Sequence, residues 1–150
     1  MSDSLIYIDA DACPVKDETF RVAERYGLKT FVVSNGGMRP SRDPMIESVV
    51  VAAGADVADD WIAERCGEGD VVITADIPLA KRCIDAGAEV LGPTGKLFSK
   101  ENIGMALAVR DLNQQLRESG EIKGYNAPFS RRDRSEFLNV LDRLISKLVR

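Results

Sequence analysis

Apolar residues along this chain fall into short unbroken runs, separated by stretches with helical spacing. The runs are Leu5–Ile8, Thr30–Ser34, Ser48–Ala52, Val71–Thr74 and Glu89–Leu91. Unbroken rather than alternating runs mark strands of a parallel sheet, because both of its faces are covered. Between them, apolar positions recur every three or four residues and predict helices over Val15–Tyr26, Asp56–Cys66 and Pro78–Ala86. In the first helix the inward face is either Phe20, Ala23 and Gly27 or Val15, Val22 and Tyr26. In the second it is Val57, Trp61 and Ile62, and Gly87 stops the third. Strand and helix alternate, which predicts an α/β protein: a three-layer, doubly wound parallel sheet of about five strands.

The tail reads differently. Ser99 is placed to cap a long helix to about Glu118, carrying Ile103, Leu107, Val109 and Leu112. The polar, glycine-containing stretch Ser119–Pro128 breaks it. Ser130 and Asp133 have capping-box spacing and open a last helix bearing Phe137, Leu138, Leu141, Leu144, Ile145 and Leu148. The expectation is a C-terminal helical pair added to the sheet, within one domain spanning residues 1–150.

Composition narrows the chemistry. A chain of 150 residues, 45% apolar and 29% charged, can bury a real core. A net charge of −4 argues against non-specific nucleic-acid binding over the whole surface, while leaving room for a local basic groove. No apolar stretch approaches the ~20 residues of a membrane span, and no signal-peptide pattern opens the chain. The expectation is a cytoplasmic monomer or homodimer with no membrane partner. Cys13, Cys66 and Cys83 are odd in number and widely spaced, as reduced thiols are; Cys13 reads as a small packing residue. Histidine is absent. Zinc held by imidazole, Ser-His-Asp and Cys-His pairs and histidine relays are thereby excluded within one chain.

Carboxylates are the group that clusters. Asp9 and Asp11 lie two apart where the first strand gives out, so an extended chain presents both on one side. Asp56, Asp59 and Asp60 open the second helix, with positions 56 and 60 on a common face. Asp76 closes the fourth strand. With strand order 3-2-1-4-5, strands one and four flank the point where the order reverses, which is where open α/β sheets place their sites. Asp56 and Asp59 are equally well explained as acids serving the free amides of a helix start. Asp60, within the first turn, is the stronger site candidate, and Asp76 has an N-cap role as its competing explanation. Crowded carboxylates without imidazole or thiolate pairs suit Mg²⁺ or Mn²⁺, which would polarise a phosphodiester and lower the pKa of an attacking water. Candidate phosphate contacts are Lys16, Arg39, Arg42, Arg131, Arg132 and Arg134, with Arg39 and Arg42 expected on the same edge as the acids.

Four segments also carry a resemblance: Asp9–Lys16 (DADACPVK), Gly54–Ile62 (GADVADDWI), Ile73–Ala80 (ITADIPLA) and Pro128–Arg134 (PFSRRDR). Together they resemble the YaiI/YqxD family of small bacterial proteins over nearly the whole chain. More distantly the layout resembles PIN-like nucleases, which use strand-end acids to bind Mg²⁺ or Mn²⁺ and cut RNA or DNA flaps. That resemblance implies a metal-dependent phosphodiester hydrolase acting on RNA ahead of DNA. Asp9 and Asp76 would be catalytic, and Asp9, Asp11, Asp56, Asp60 and Asp76 would be the metal ligands. The chain departs from the pattern after Asp76, where Ile77, Pro78 and Leu79 stand in place of another acid. Two other readings follow from the same residues. One is a haloacid-dehalogenase-like phosphatase with Asp9 as nucleophile, although no lysine occurs between Asn35 and Ala80. The other is a non-catalytic module binding RNA or a protein partner on a degenerate nuclease scaffold.

Overall fold

The computed structural model describes residues 4–10, 13–36, 41–54, 56–118 and 129–149, with the side chains at 113, 114 and 116–118 left aside. The elements run β1 (Leu5–Asp9), α1 (Lys16–Tyr26), β2 (Lys29–Ser34), β3 (Ile46–Val50), α2 (Val57–Arg65), β4 (Val71–Ile73), α3 (Ile77–Asp85), β5 (Glu89–Leu91), β6 (Leu97–Phe98), α4 (Lys100–Glu118) and α5 (Arg131–Leu148). They build one sheet in the order β3-β2-β1-β4-β5-β6. The first five strands are parallel, as the unbroken apolar runs predict, and β6 adds an antiparallel edge. A two-residue strand carries no periodicity, so β6 has no signal in the sequence.

Alternation along each strand divides the interior into two cores. Ile6, Ile8, Val32, Val71 and Ile73 point to one face and pack with Val22 and Ala23 of α1 and Phe137, Leu141 and Ile145 of α5. Tyr7, Val33, Val72 and Val90 point to the other, against Ala58 and Ile62 of α2, Leu79, Ala80 and Cys83 of α3 and Ile103 of α4. The C-terminal pair is therefore shared between the layers: α5 lies on α1, and α4 lies on α3. Gly27 ends α1 in the left-handed conformation at φ 68°, which lets Leu28 N donate back to the Ala23 carbonyl.

Two faces differ from the periodic expectation. On α4, Ile103 is buried, but Val109 and Leu112 are about half exposed, because only the first turns of this helix reach the core. On α2, Ala58 and Ile62 are buried while Val57 and Trp61 sit at the flank. Trp61 instead packs its ring edge-on to Tyr7 and tilted against Phe31, with Arg65 over its face. The buried face of α2 thus centres on Ala58 and Ile62 rather than on Val57 and Trp61. Among the described residues no helix is long and apolar enough to cross a membrane.

Candidate acidic site

The reversal of strand order falls between β1 and β4, where Ile8 is in register with Ile73. Asp9 is the last residue of β1 and shares the α2/α3 side of the sheet with Tyr7. One strand across, Thr74 follows β4 and is buried. Its hydroxyl donates to Asp9 Oδ2 at 2.8 Å and accepts from Asp76 N at 3.0 Å. One threonine thereby fixes both strand-end acids relative to each other. Asp76 caps α3, its Oδ1 accepting from Leu79 N at 2.9 Å, with Pro78 in the first turn. The cap occupies one carboxylate oxygen.

The third segment contributes through Asp59 rather than Asp60. The Asp59 carboxyl is pushed from 3.8 up to about 6, first by burial and then by the negative charges of Asp76, Asp9 and Asp56, with Arg82 opposing. Asp60 is exposed, its Oδ1 accepting from Arg82 Nη1 at 2.7 Å in an ion pair between α2 and α3. Of the expected inward face Val57, Trp61 and Ile62, Ile62 is fully buried and the other two are half-buried, while Ala58 joins the core. Asp56 occupies the N-cap position of α2 but makes no side-chain cap bond, so capping does not account for it.

The other candidates divide. Lys16 opens α1 on the acid edge, its Nζ donating to the Cys13 carbonyl at 3.3 Å. Arg131 and Arg132 are exposed in the first turn of α5. That turn is fastened to the acid edge by Arg134, whose Nη1 donates to the Pro14 carbonyl at 2.9 Å. Arg134 also pairs with buried Glu18 at 3.1 Å and lies over the Phe129 ring, so it is committed to the fold. Arg42 sits on the opposite edge: it precedes Asp43, whose carbonyl accepts from Ile46 N where β3 begins. β2 and β3 are parallel neighbours, so the chain re-enters β3 at the opposite end of the strands, and Arg42 lies there. Asp11 and Arg39 lie outside the described residues, as does the stretch Ser119–Pro128. Burial pushes the Cys13 thiol up, consistent with packing rather than nucleophilic chemistry.

Among the described residues no group of three His, Cys, Asp or Glu side chains is close enough to enclose a metal ion. The acids stay reachable from solvent: Asp56 is exposed, and Asp9, Asp59 and Asp76 are half-buried. A cavity of about 510 Å³ beside α5, lined by Leu97, Val140 and Leu144, includes none of them. In the sequence Thr74 is not singled out, and Asp59 stands evenly balanced between a helix-start role and the site. The Thr-x-Asp turn ahead of Pro78 was the available signal for the first; nothing local distinguishes Asp59 from Asp60.

A family model described as the uncharacterised YaiI/YqxD family matches residues 7–147. A UPF0178 protein of Rhizobium meliloti is 62% identical over 146 residues, covering 97% of this chain and 100% of its own length. One from Agrobacterium fabrum is 63% identical over 143 residues (95% and 94%), and one from Parvibaculum lavamentivorans 57% over 145 (97% and 95%). No solved structure matches. The strand-end acids at 9 and 76 and the acidic start of α2 thus belong to a chain that is, over almost all its length, a member of the YaiI/YqxD family.

Proposed function

We propose that the protein is a Mg²⁺- or Mn²⁺-dependent phosphodiester hydrolase of the PIN-like type, acting on RNA. The observation that carries this reading is the pairing of Asp9 and Asp76 through Thr74 at the β1/β4 switch, with Asp59 beside them, its carboxyl raised to about 6 first by burial and then by the charges of Asp76, Asp9 and Asp56. Carboxylates gathered at such cost to one another are what a dication relieves. Hard oxygen donors suit Mg²⁺ or Mn²⁺. Mg²⁺ commonly keeps several waters and takes one or two carboxylates plus substrate phosphate oxygens, so two strand-end acids could suffice. Asp9 and Asp76 would be the principal ligands, with Asp59 and Asp56 alongside and Asp11 as a further donor. The bound ion would polarise the phosphodiester and acidify an attacking water.

The chain's own residues do the rest. Thr74 orients Asp9 by donating to its Oδ2. The Leu79 amide holds Asp76 in the same way. Acids reachable from solvent admit a polymer where a closed pocket would not, and Lys16, Arg131 and Arg132 on that edge are placed to meet its phosphates. The choice of RNA rests on the resemblance to PIN-like nucleases.

The test is cleavage of an end-labelled RNA hairpin with a single-stranded tail, with Mn²⁺ or EDTA, by wild type, Asp9→Asn and Asp76→Asn. Asn at 76 retains an oxygen for the Leu79 amide, so the α3 cap survives. Mn²⁺-dependent products from wild type and a loss of about 100-fold or more in both variants are expected. Cleavage that persists in EDTA, or in both variants, rules the mechanism out.

A further inference from the structure

Two ion pairs pin α5 to α1. Arg25 and Asp142 meet at 2.7 Å at the C-terminal end of α1, far from the acids. Glu18 and Arg134 meet at 3.1 Å at its N-terminal end. The second pair is built differently. Glu18 is buried, and the same Arg134 Nη1 that reaches both of its oxygens also donates to the Pro14 carbonyl. Pro14 lies at the end of the segment that leaves Asp9. Its neighbour Cys13 donates its N–H back to the Ala10 carbonyl, and Val15 is fully buried while its carbonyl accepts from Thr19 Oγ1. The backbone on the far side of Asp9 is therefore tied down at 10, 13, 14 and 15, and Arg134 supplies the only side-chain bond to it from α5 among those described.

We propose that Arg134 is a positioning residue for the acidic site: by bridging Glu18 and the Pro14 carbonyl, it fixes the chain that leaves Asp9. This rests on the cation-binding reading above. All three bonds come from one guanidinium nitrogen, Nη1, which the planar group stacked over the Phe129 ring holds in place; a lysine ammonium on a flexible stem has no such fixed plane. Groups that orient a ligand from behind characteristically cost 10–100-fold in metal affinity when removed.

The test is Mn²⁺ titration calorimetry on wild type, Arg134→Gln, Arg134→Lys and Arg25→Gln, at a temperature where circular dichroism shows each fully folded. Arg25→Gln loosens the same helix interface without touching the acid loop, so it separates positioning from general weakening. The expected result is a Kd about tenfold higher for Arg134→Gln, an intermediate value for Arg134→Lys and no change for Arg25→Gln. Should Arg134→Gln not fold, Glu18→Gln takes its place, with a several-fold rise expected. Unchanged affinity in the Arg134 or Glu18 variant, or equal weakening in Arg25→Gln, overturns the positioning role while leaving metal binding standing. Absence of binding by wild type overturns the cation reading itself, and the positioning role with it.

Discussion

Asp59→Asn removes one of the mutually repelling carboxylates and should stabilise the metal-free protein. A carboxyl moved from 3.8 to about 6 on folding corresponds to about 3 kcal/mol at 1.36 kcal/mol per pH unit. The side chain is only partly buried, and solvent screening reduces this to about 1 kcal/mol. The direction follows from the raised folded value. Below about pH 4 the group is protonated both folded and unfolded and contributes nothing. Between about 4 and 6 the unfolded chain ionises first, so stability falls as pH rises, and above 6 the full penalty remains. In EDTA at pH 7.5, Asp59→Asn should gain about 1 kcal/mol in urea unfolding, or about 3 °C in Tm for a chain of this size. The gain should shrink toward zero near pH 4. Mn²⁺ should reverse the order by stabilising wild type more than the variant. A variant no more stable than wild type at pH 7.5, or a difference that does not change with pH, refutes the crowding of Asp59 by its neighbours.

Thr74→Val deletes a buried hydroxyl that serves both Asp9 and the Asp76 amide; a loss of about 1–3 kcal/mol in urea unfolding is expected, together with weaker Mn²⁺ binding. Asp60→Asn breaks only an exposed pair with Arg82, so it should cost under about 1 kcal/mol and leave Mn²⁺ affinity unchanged by calorimetry. Phe137→Ala empties the centre of the α1/α5 core and should cost about 3–5 kcal/mol by denaturant midpoint, showing that the last helix is integral to the fold.

What was legible in the sequence followed from burial on two faces. Runs such as Val71–Thr74 and Glu89–Leu91 have no polar alternation to confuse the assignment, and the helices between them enforce parallel neighbours, so the order of five strands and the switch at β1/β4 could be read in advance. The capping box at Ser130 and Asp133 was equally readable, because its two reciprocal bonds are local. Rotation of a helix about its axis was not. Val57, Trp61 and Ile62 form a plausible apolar stripe, yet only Ile62 is fully buried; Trp61 is half-buried against Tyr7 and Phe31, and Ala58 takes its place in the core. The fate of individual arginines was also hidden. Arg134 and Arg131 look alike in sequence, and only tertiary contacts with Glu18 and Pro14 separate a strut from an exposed cation. Likewise Arg42 lies at the start of β3, at the end of the strands away from the acids, which no local pattern announces.

The most direct measurement is isothermal titration of Mn²⁺ into wild type and Asp9→Asn at pH 7.5. Saturable binding by wild type and an affinity at least about tenfold weaker in the variant are the predicted results. No binding, or the same isotherm from both proteins, would contradict a dication site built on the acids at the β1/β4 switch.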